Sequence, residues 1–254
     1  MKRIWVLLVF ALLTACASSG GGSEGAPQID TTRAQASAKI HTELAASYYE
    51  RKQYSIALQE IAIAMREDSD YAPAYTVRAL IRMALREDEQ ADADFRRSLQ
   101  LDNANAGTHN NYGWFLCQRG REKESLKLFQ EALKNPLYAT PEIAYVNLGI
   151  CSKKVGLFKE AEINLQRALI LRPGLTEALY GLSELSFDRG DYAGAKSYFV
   201  RFAQTSQDLT AEQLWLAVRI ERKMRDRNSE ASYALQLRKH YPDSRETQLL
   251  LQGE

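Results

Sequence analysis

Few residues of this chain have side chains suited to catalysis or metal binding. The sequence contains three histidines and three cysteines. The histidines are His41, His109 and His240, and their positions follow no metal-ligand spacing. Neither a His-Glu-x-x-His nor a Gly-x-Ser-x-Gly motif is present. The sequence therefore predicts a protein that is not an enzyme, with no metal site and no small-molecule substrate.

Cys16 follows a segment that is typical of secretory signals. Two positive charges precede an apolar run at residues 4–13, and two small residues stand directly before the cysteine. The run is too short for a membrane-spanning helix, which needs about 20 apolar residues. Residues 1–15 are therefore predicted to be a signal peptide that is removed.

The sequence Leu13-Thr14-Ala15-Cys16 resembles the lipobox of bacterial lipoproteins. The resemblance implies cleavage before Cys16 and a covalent lipid, such as palmitate, on the new N-terminus, and no other cofactor. Ala17 follows the cysteine, where many lipoproteins that stay at the inner membrane have Asp. We therefore expect a lipid anchor on the periplasmic face of the bacterial outer membrane. An ordinary signal peptide with an unmodified Cys16 is the alternative.

The residues after Cys16 are predicted to form a lipidated flexible tether at residues 16–35. Residues 17–26 are mostly Gly, Ser and Ala, a composition that buries too little apolar surface to become ordered. Removal of the signal peptide takes away Lys2 and Arg3, which changes the net charge from +1 to −1. No Lys/Arg-rich block follows, and this argues against nucleic acid as a partner.

A period of 34 to 36 residues runs through the rest of the chain. Small residues recur at Ala57, Ala91, Ser125, Ala161, Ala195 and Ala231. A large apolar residue follows each of them by four positions, at Ile61, Phe95, Phe129, Leu165, Phe199 and Leu235. This spacing predicts amphipathic helices that approach closely at the small residues and interlock through the large ones. Gly120, Gly156 and Gly190 are predicted to end helices at equivalent turns.

The periodic pattern resembles the tetratricopeptide repeat, whose unit of about 34 residues is a pair of antiparallel helices. The resemblance implies an all-α domain at residues 36–254: a right-handed superhelix, or α-solenoid, of six repeats with a C-terminal capping helix. The repeats are predicted at about 38–71, 72–105, 106–141, 142–175, 176–209 and 210–243, with the cap at 244–254. The sixth repeat is the least regular, because Arg238 stands at a small-residue position.

In this repeat family, the fifth, ninth and twelfth residues of each unit line the inner surface of the superhelix. Many of these positions are apolar here, and an exposed apolar groove suits an apolar strand or an amphipathic helix. The predicted partner-binding residues are Tyr49, Leu80, Met83, Trp114, Val146, Ile150, Tyr180, Phe187, Leu214 and Val218. Trp114, Tyr180 and Phe187 are the predicted anchors, because large aromatic residues dominate binding energies. For each residue, packing between neighbouring first helices is the alternative.

Cys117 and Cys151 allow two interpretations. A disulfide is possible in an oxidising periplasm. Two cysteines in a helical core are more commonly buried free thiols, and this is the interpretation we favour.

The lipobox, the Gly/Ser tether and the six repeats together resemble the pilotin family of type IV pili (PilF/PilW type). Two segments carry the resemblance in detail: Asn110-Asn111-Tyr112-Gly113-Trp114-Phe115-Leu116-Cys117 and Asn135-Pro136-Leu137-Tyr138. The resemblance implies an outer-membrane lipoprotein that binds the pilus secretin subunit and promotes its outer-membrane localisation and multimerisation. Pilus biogenesis and twitching motility would depend on it. The alternative is a tetratricopeptide lipoprotein scaffold for peptidoglycan enzymes or for outer-membrane barrel assembly.

Overall fold

A computed structural model describes residues 28–206 and 208–253, and the described part of the chain is helical without strands. The helices are α1 (Gln28–Glu50), α2 (Tyr54–Glu67), α3 (Ala72–Leu85), α4 (Asp88–Leu101), α5 (Ala106–Gln118), α6 (Glu122–Lys134), α7 (Pro141–Lys154), α8 (Phe158–Leu171), α9 (Thr176–Asp188), α10 (Tyr192–Thr205), α11 (Ala211–Met224), α12 (Arg227–His240) and α13 (Arg245–Gln252). The first twelve pair antiparallel in chain order, and α13 follows the last pair. The predicted all-α repeat superhelix is confirmed.

Small residues bring the two helices together in the first five repeats, as the period predicts. The small-residue positions of the first five repeats are fully buried. In the fourth repeat, a Cβ placed on Gly149 of α7 would lie 2.7 Å from Leu165 Cγ of α8. The two backbones are therefore closer than any side chain at position 149 would allow.

The turn between paired helices needs one residue with positive φ. Gly120, Gly156 and Gly190 supply it with φ of 77°, 79° and 80°, so the prediction for these glycines is confirmed. In the other repeats, Lys52, Arg86 and Arg225 adopt the same left-handed conformation.

The sixth repeat departs from the predicted register by one residue. Leu235 is 60% exposed, whereas Ala234 and Leu237 are buried. Helix α12 begins after Asp226, whose side chain accepts a hydrogen bond from the Ser229 backbone N–H. The core face of α12 therefore uses the residues one position before those predicted, and Arg238 is an ordinary exposed residue.

The first helix begins earlier than the predicted tether allowed. Residues 28–35 belong to α1, since no Gly or Pro follows Pro27 in this stretch to interrupt the helix. The signal peptide at residues 1–15, Cys16 and the rest of the tether lie outside the described residues. None of the described helices combines the length and the apolar character that crossing a membrane requires.

Neighbouring repeats touch through two kinds of helix pair, first helix on first helix and second helix on the next first helix. Helix α1 contacts α3, α3 contacts α5, α5 contacts α7 and α7 contacts α9, while each second helix packs on the first helix of the next repeat. This arrangement places the odd-numbered helices on the inner side of the superhelix. At the C-terminal end, Leu249 and Leu250 of α13 pack on the core of the sixth repeat, as expected of a cap.

Candidate protein-binding groove

The first helices of the six repeats present a row of partly buried apolar side chains, which we call the inner groove. Seven predicted partner-binding residues are half-buried there: Tyr49, Leu80, Met83, Trp114, Ile150, Tyr180 and Phe187. Each packs with one side against a core cluster of its own or a neighbouring repeat. These residues combine a supported ring or chain with a free edge, as binding anchors require.

Three of the predicted groove residues are core residues instead. Val146 is buried against Ala178 and Leu182 of the following repeat. Leu214 and Val218 are buried in the core of the sixth repeat with Trp215. Leu214 and Val218 are buried because the register of the sixth repeat differs from the predicted one. Val146 is buried because α7 and α9 are in contact at this point.

In α11 the register is displaced the other way, so the inner positions of the sixth repeat are Trp215, Arg219 and Arg222, each one residue after a predicted position. The Arg219 guanidinium lies 4.7 Å above the Phe187 ring and 6.0 Å from the Trp215 ring, and that of Arg222 lies 5.7 Å from Trp215. The C-terminal end of the inner groove is therefore cationic as well as aromatic. Sequence reasoning missed it because it placed the inner positions of α11 one residue too early, at Leu214 and Val218.

A disulfide joins Cys117 of α5 to Cys151 of α7, with both residues fully buried. The interpretation of these residues as free thiols is therefore wrong. The two Cα atoms are 6.0 Å apart, within the range that a disulfide spans. They come this close because the contact between α5 and α7 brings together nearly equivalent positions of adjacent repeats.

The disulfide supports the middle of the inner groove. Trp114 packs against the core cluster that contains Cys117, Cys151 and Phe129. The Asn147 side-chain amide of α7 donates a hydrogen bond to Asn110 Oδ1 of α5, at 3.0 Å. Repeats three and four thus present Trp114 from a surface fixed by a covalent bond and a partly buried polar contact.

A pocket of about 390 Å³ opens on the inner groove between α9 and α11. These two helices lie farther apart than the other pairs of neighbouring first helices. Ile150, Tyr180 and Phe202 form its apolar part, and the Tyr180 and Phe202 rings are 5.2 Å apart. Burial raises the pKa of Tyr180 above its usual range, and the nearby Glu184 adds to this rise. Tyr180 therefore stays neutral, and the pocket suits an apolar side chain.

Charges at this end of the groove are mostly paired. Lys153 Nζ lies 3.2 Å from a carboxylate oxygen of Glu184 and 3.7 Å from one of Asp188. Arg222 Nε donates to Glu230 at 2.7 Å. Arg219 has neither a hydrogen bond nor an ion pair within residues 28–206 and 208–253.

The described residues hold no group of His, Cys, Asp and Glu side chains that could bind a metal ion. What the inner groove offers is supported aromatic rings, one apolar pocket and a cation. Such surfaces bind strands or helices of other proteins. The molecule is thus a tetratricopeptide-repeat protein with a groove suited to a protein partner, and a model of the tetratricopeptide repeat matches residues 72–105.

Full-length relatives define the family within that class. Type IV pilus assembly protein PilF of Pseudomonas aeruginosa is 30% identical over 248 residues, covering 98% of this chain and 97% of PilF. The chain therefore belongs to the PilF/PilW family of tetratricopeptide proteins. The crystal structure of PilW, a widely conserved type IV pilus biogenesis factor, matches with a TM-score of 0.78 at 34% identity, covering 89% of this chain and 100% of PilW. The structure of Pseudomonas aeruginosa PilF matches with a TM-score of 0.82 at 27% identity, covering 87% and 100% of the respective chains.

Proposed function

We propose that this protein is a pilotin of type IV pilus biogenesis. Its task is to bind the pilus secretin subunit and to promote the localisation and multimerisation of that subunit in the outer membrane. The similarity to PilF carries the proposal, because it extends over nearly the whole of both chains and not only over the generic repeat. A shared repeat alone would support the fold but no particular function.

The inner groove supplies the physical basis of this activity. Unassembled subunits of a ring expose apolar surface and strand edges that associate wrongly with one another. The half-buried rings of Trp114, Tyr180 and Phe187 offer such a segment apolar contacts along the groove. The protein acts by binding and release, and no step of this activity requires catalysis.

The lipid anchor of the proposal is the modified Cys16. Residues 17–27 can span at most about 40 Å when fully extended. An anchor at Cys16 would therefore hold the repeat domain close to the membrane, where the secretin ring is to form. Two or more acyl chains give long-lived attachment, since each buried CH₂ contributes about 0.8 kcal/mol.

The state of the secretin in a strain that lacks this protein tests the proposal. Membrane fractionation and a gel that preserves multimers would show monomeric secretin away from the outer membrane, and re-expression of the protein would restore the multimer. Normal outer-membrane multimers in the deletion strain would contradict the proposal. A change in cell shape or barrel assembly with normal multimers would point to a cell-envelope scaffold instead.

A further inference from the structure

The C-terminal end of the inner groove contains a cation, Arg219, that no carboxylate of the described residues pairs with. The Arg219 Nε atom is buried and has no acceptor in the described part of the chain, and its guanidinium has no carboxylate partner there. The Arg219 side chain as a whole is only half-buried, so a bound partner can supply a charged acceptor to its accessible part. Lys153 and Arg222, its neighbours in the groove, are both paired with carboxylates.

Aromatic rings hold the Arg219 guanidinium in place. It lies 4.7 Å above Phe187 and 6.0 Å from Trp215, within the range of cation–π contacts. Stacking restricts a long side chain before any ligand arrives, so less entropy is lost on binding. The edge of a stacked guanidinium remains suited to two parallel hydrogen bonds to a carboxylate.

The apolar pocket between α9 and α11 lies next to this cation. Tyr180 lies close to both the pocket and Arg219. It lines the pocket, and the positive charge of Arg219 opposes the rise of the Tyr180 pKa. Glu184 and Glu212 also lie close enough to Tyr180 to affect that pKa. Glu184 also lines the pocket, so the pocket itself fits an uncharged apolar group and the carboxylate of the partner is assigned to Arg219.

We infer that the C-terminal end of the inner groove binds a partner segment with an apolar side chain in the α9–α11 pocket and an Asp or Glu side chain on Arg219. This inference rests on the proposed function and adds to it the kind of segment that the groove selects. The charge is assigned to an internal side chain and not to a chain end, because the row of groove residues continues from the pocket through Ile150 to Trp114.

Binding of short overlapping peptides that tile the secretin subunit tests this inference. The peptides are acetylated and amidated, so that neither end carries a charge, and the protein is the full mature chain. We expect the tightest peptide to contain an apolar residue close to Asp or Glu. Arg219→Gln should weaken its binding by about tenfold or more, with Arg219→Lys between the two. The matched control is Arg238→Gln, which changes an exposed arginine outside the groove and should leave binding unchanged.

A second change, made in the peptide, keeps the test independent of folding. Replacing the peptide carboxylate by the corresponding amide should weaken binding to the natural protein by a similar factor. It should cost no further affinity in Arg219→Gln, because the two changes remove the same contact.

The possible outcomes separate the two proposals. If Arg219→Gln binds as well as the natural protein while Trp114→Ala does not, the groove function stands and the carboxylate site is refuted. A requirement for a free C-terminal carboxylate would also overturn the inference. If no secretin peptide and no intact secretin subunit binds the natural protein, both proposals fail.

Discussion

Trp114 belongs both to the inner groove and to the core beneath it. Its ring is half-buried on the cluster of Cys117, Cys151 and Phe129. We expect Trp114→Ala to weaken secretin binding by about tenfold or more, as loss of a groove anchor does. The same change should lower the melting temperature less than Phe129→Ala, because Phe129 is fully buried and its truncation costs about 3–5 kcal/mol.

Peptide binding and thermal unfolding followed by circular dichroism check this prediction together. Ile170→Ala is the matched control, since Ile170 is 78% exposed on a second helix away from the groove. It should change neither quantity. Equal losses of stability in Trp114→Ala and Phe129→Ala would assign Trp114 to the core alone.

Gly149 marks the closest approach of two helices in one repeat. An added Cβ would meet Leu165 Cγ at 2.7 Å and the backbone oxygen of Ala161 at 3.1 Å. Gly149→Ala should therefore lower the free energy of unfolding by about 1–3 kcal/mol. Gly174→Ala should be neutral or stabilising by up to about 1 kcal/mol, because nothing lies within 4 Å of its Cβ and its φ is not positive. Urea unfolding of both variants measures the difference, and equal stabilities would refute the close approach.

For single residues, the sequence predicts burial in the core correctly wherever the repeats keep the same spacing. The small-residue columns of the first five repeats locate the core correctly, since one period fixes all of them. The sixth repeat fails because Ala231 and Leu235 lie one residue after the positions that the core of α12 uses, and only the start of α12 at Arg227 reveals this. Arg219 was missed because the predicted register of α11 is one residue too early, which assigns Val218 to the groove in its place.

At the scale of helices, the disulfide joins α5 to α7 and so ties repeat three to repeat four. It closes a loop with a sequence separation of 34 residues. In the chain-entropy model, such a loop stabilises the folded state by about 3–4 kcal/mol relative to the reduced chain. A reductant should therefore lower the free energy of unfolding of the natural protein by about this amount.

Urea unfolding with and without dithiothreitol measures that effect. The control is the double variant Cys117→Ser and Cys151→Ser, whose stability should not respond to the reductant. A natural protein that is equally stable in both conditions would contradict the prediction. Before reduction, the buried sulfur atoms must first be exposed by local opening, so the change should be slow under native conditions.

The sequence could not decide between this disulfide and two free thiols. Spacing along the chain places both cysteines on first helices of adjacent repeats. Whether they meet depends on how closely α5 and α7 pack, which is a property of the stacked repeats. A pair of cysteines at nearly equivalent positions of neighbouring repeats is the signal that could have favoured the bond.

At the scale of the whole molecule, position relative to the membrane is expected to matter as much as the groove. Replacing residues 1–16 by a secretory signal without a lipobox should leave a soluble protein with the same melting temperature and peptide affinity. Secretin multimers in the outer membrane should decrease strongly, because the bound subunit is no longer held at the membrane. Membrane fractionation and secretin gels measure this. Full activity of the soluble form would refute the anchoring role of Cys16.

The superhelix itself follows from the repeat period, whereas its local differences in groove character do not. The odd-numbered helices line the inner surface because of how the repeats stack, and the resemblance to the repeat family predicts this. The α9–α11 pocket arises where two neighbouring first helices separate, and the residue types in these helices do not predict it. Such gaps depend on side-chain volumes summed over several helices, which a residue pattern does not contain.

Because each repeat touches only its neighbours, the domain should not open all at once. Hydrogen exchange in such a stack begins at the two ends and moves inward. The disulfide between repeats three and four stabilises these two repeats, so we expect them to open last. The repeats around the α9–α11 pocket lie on the C-terminal side of these two, among those that open early. A ligand bound in this pocket would contact both repeats and stabilise them against local opening. It would therefore protect from proteolysis the part of the chain that is otherwise cut first.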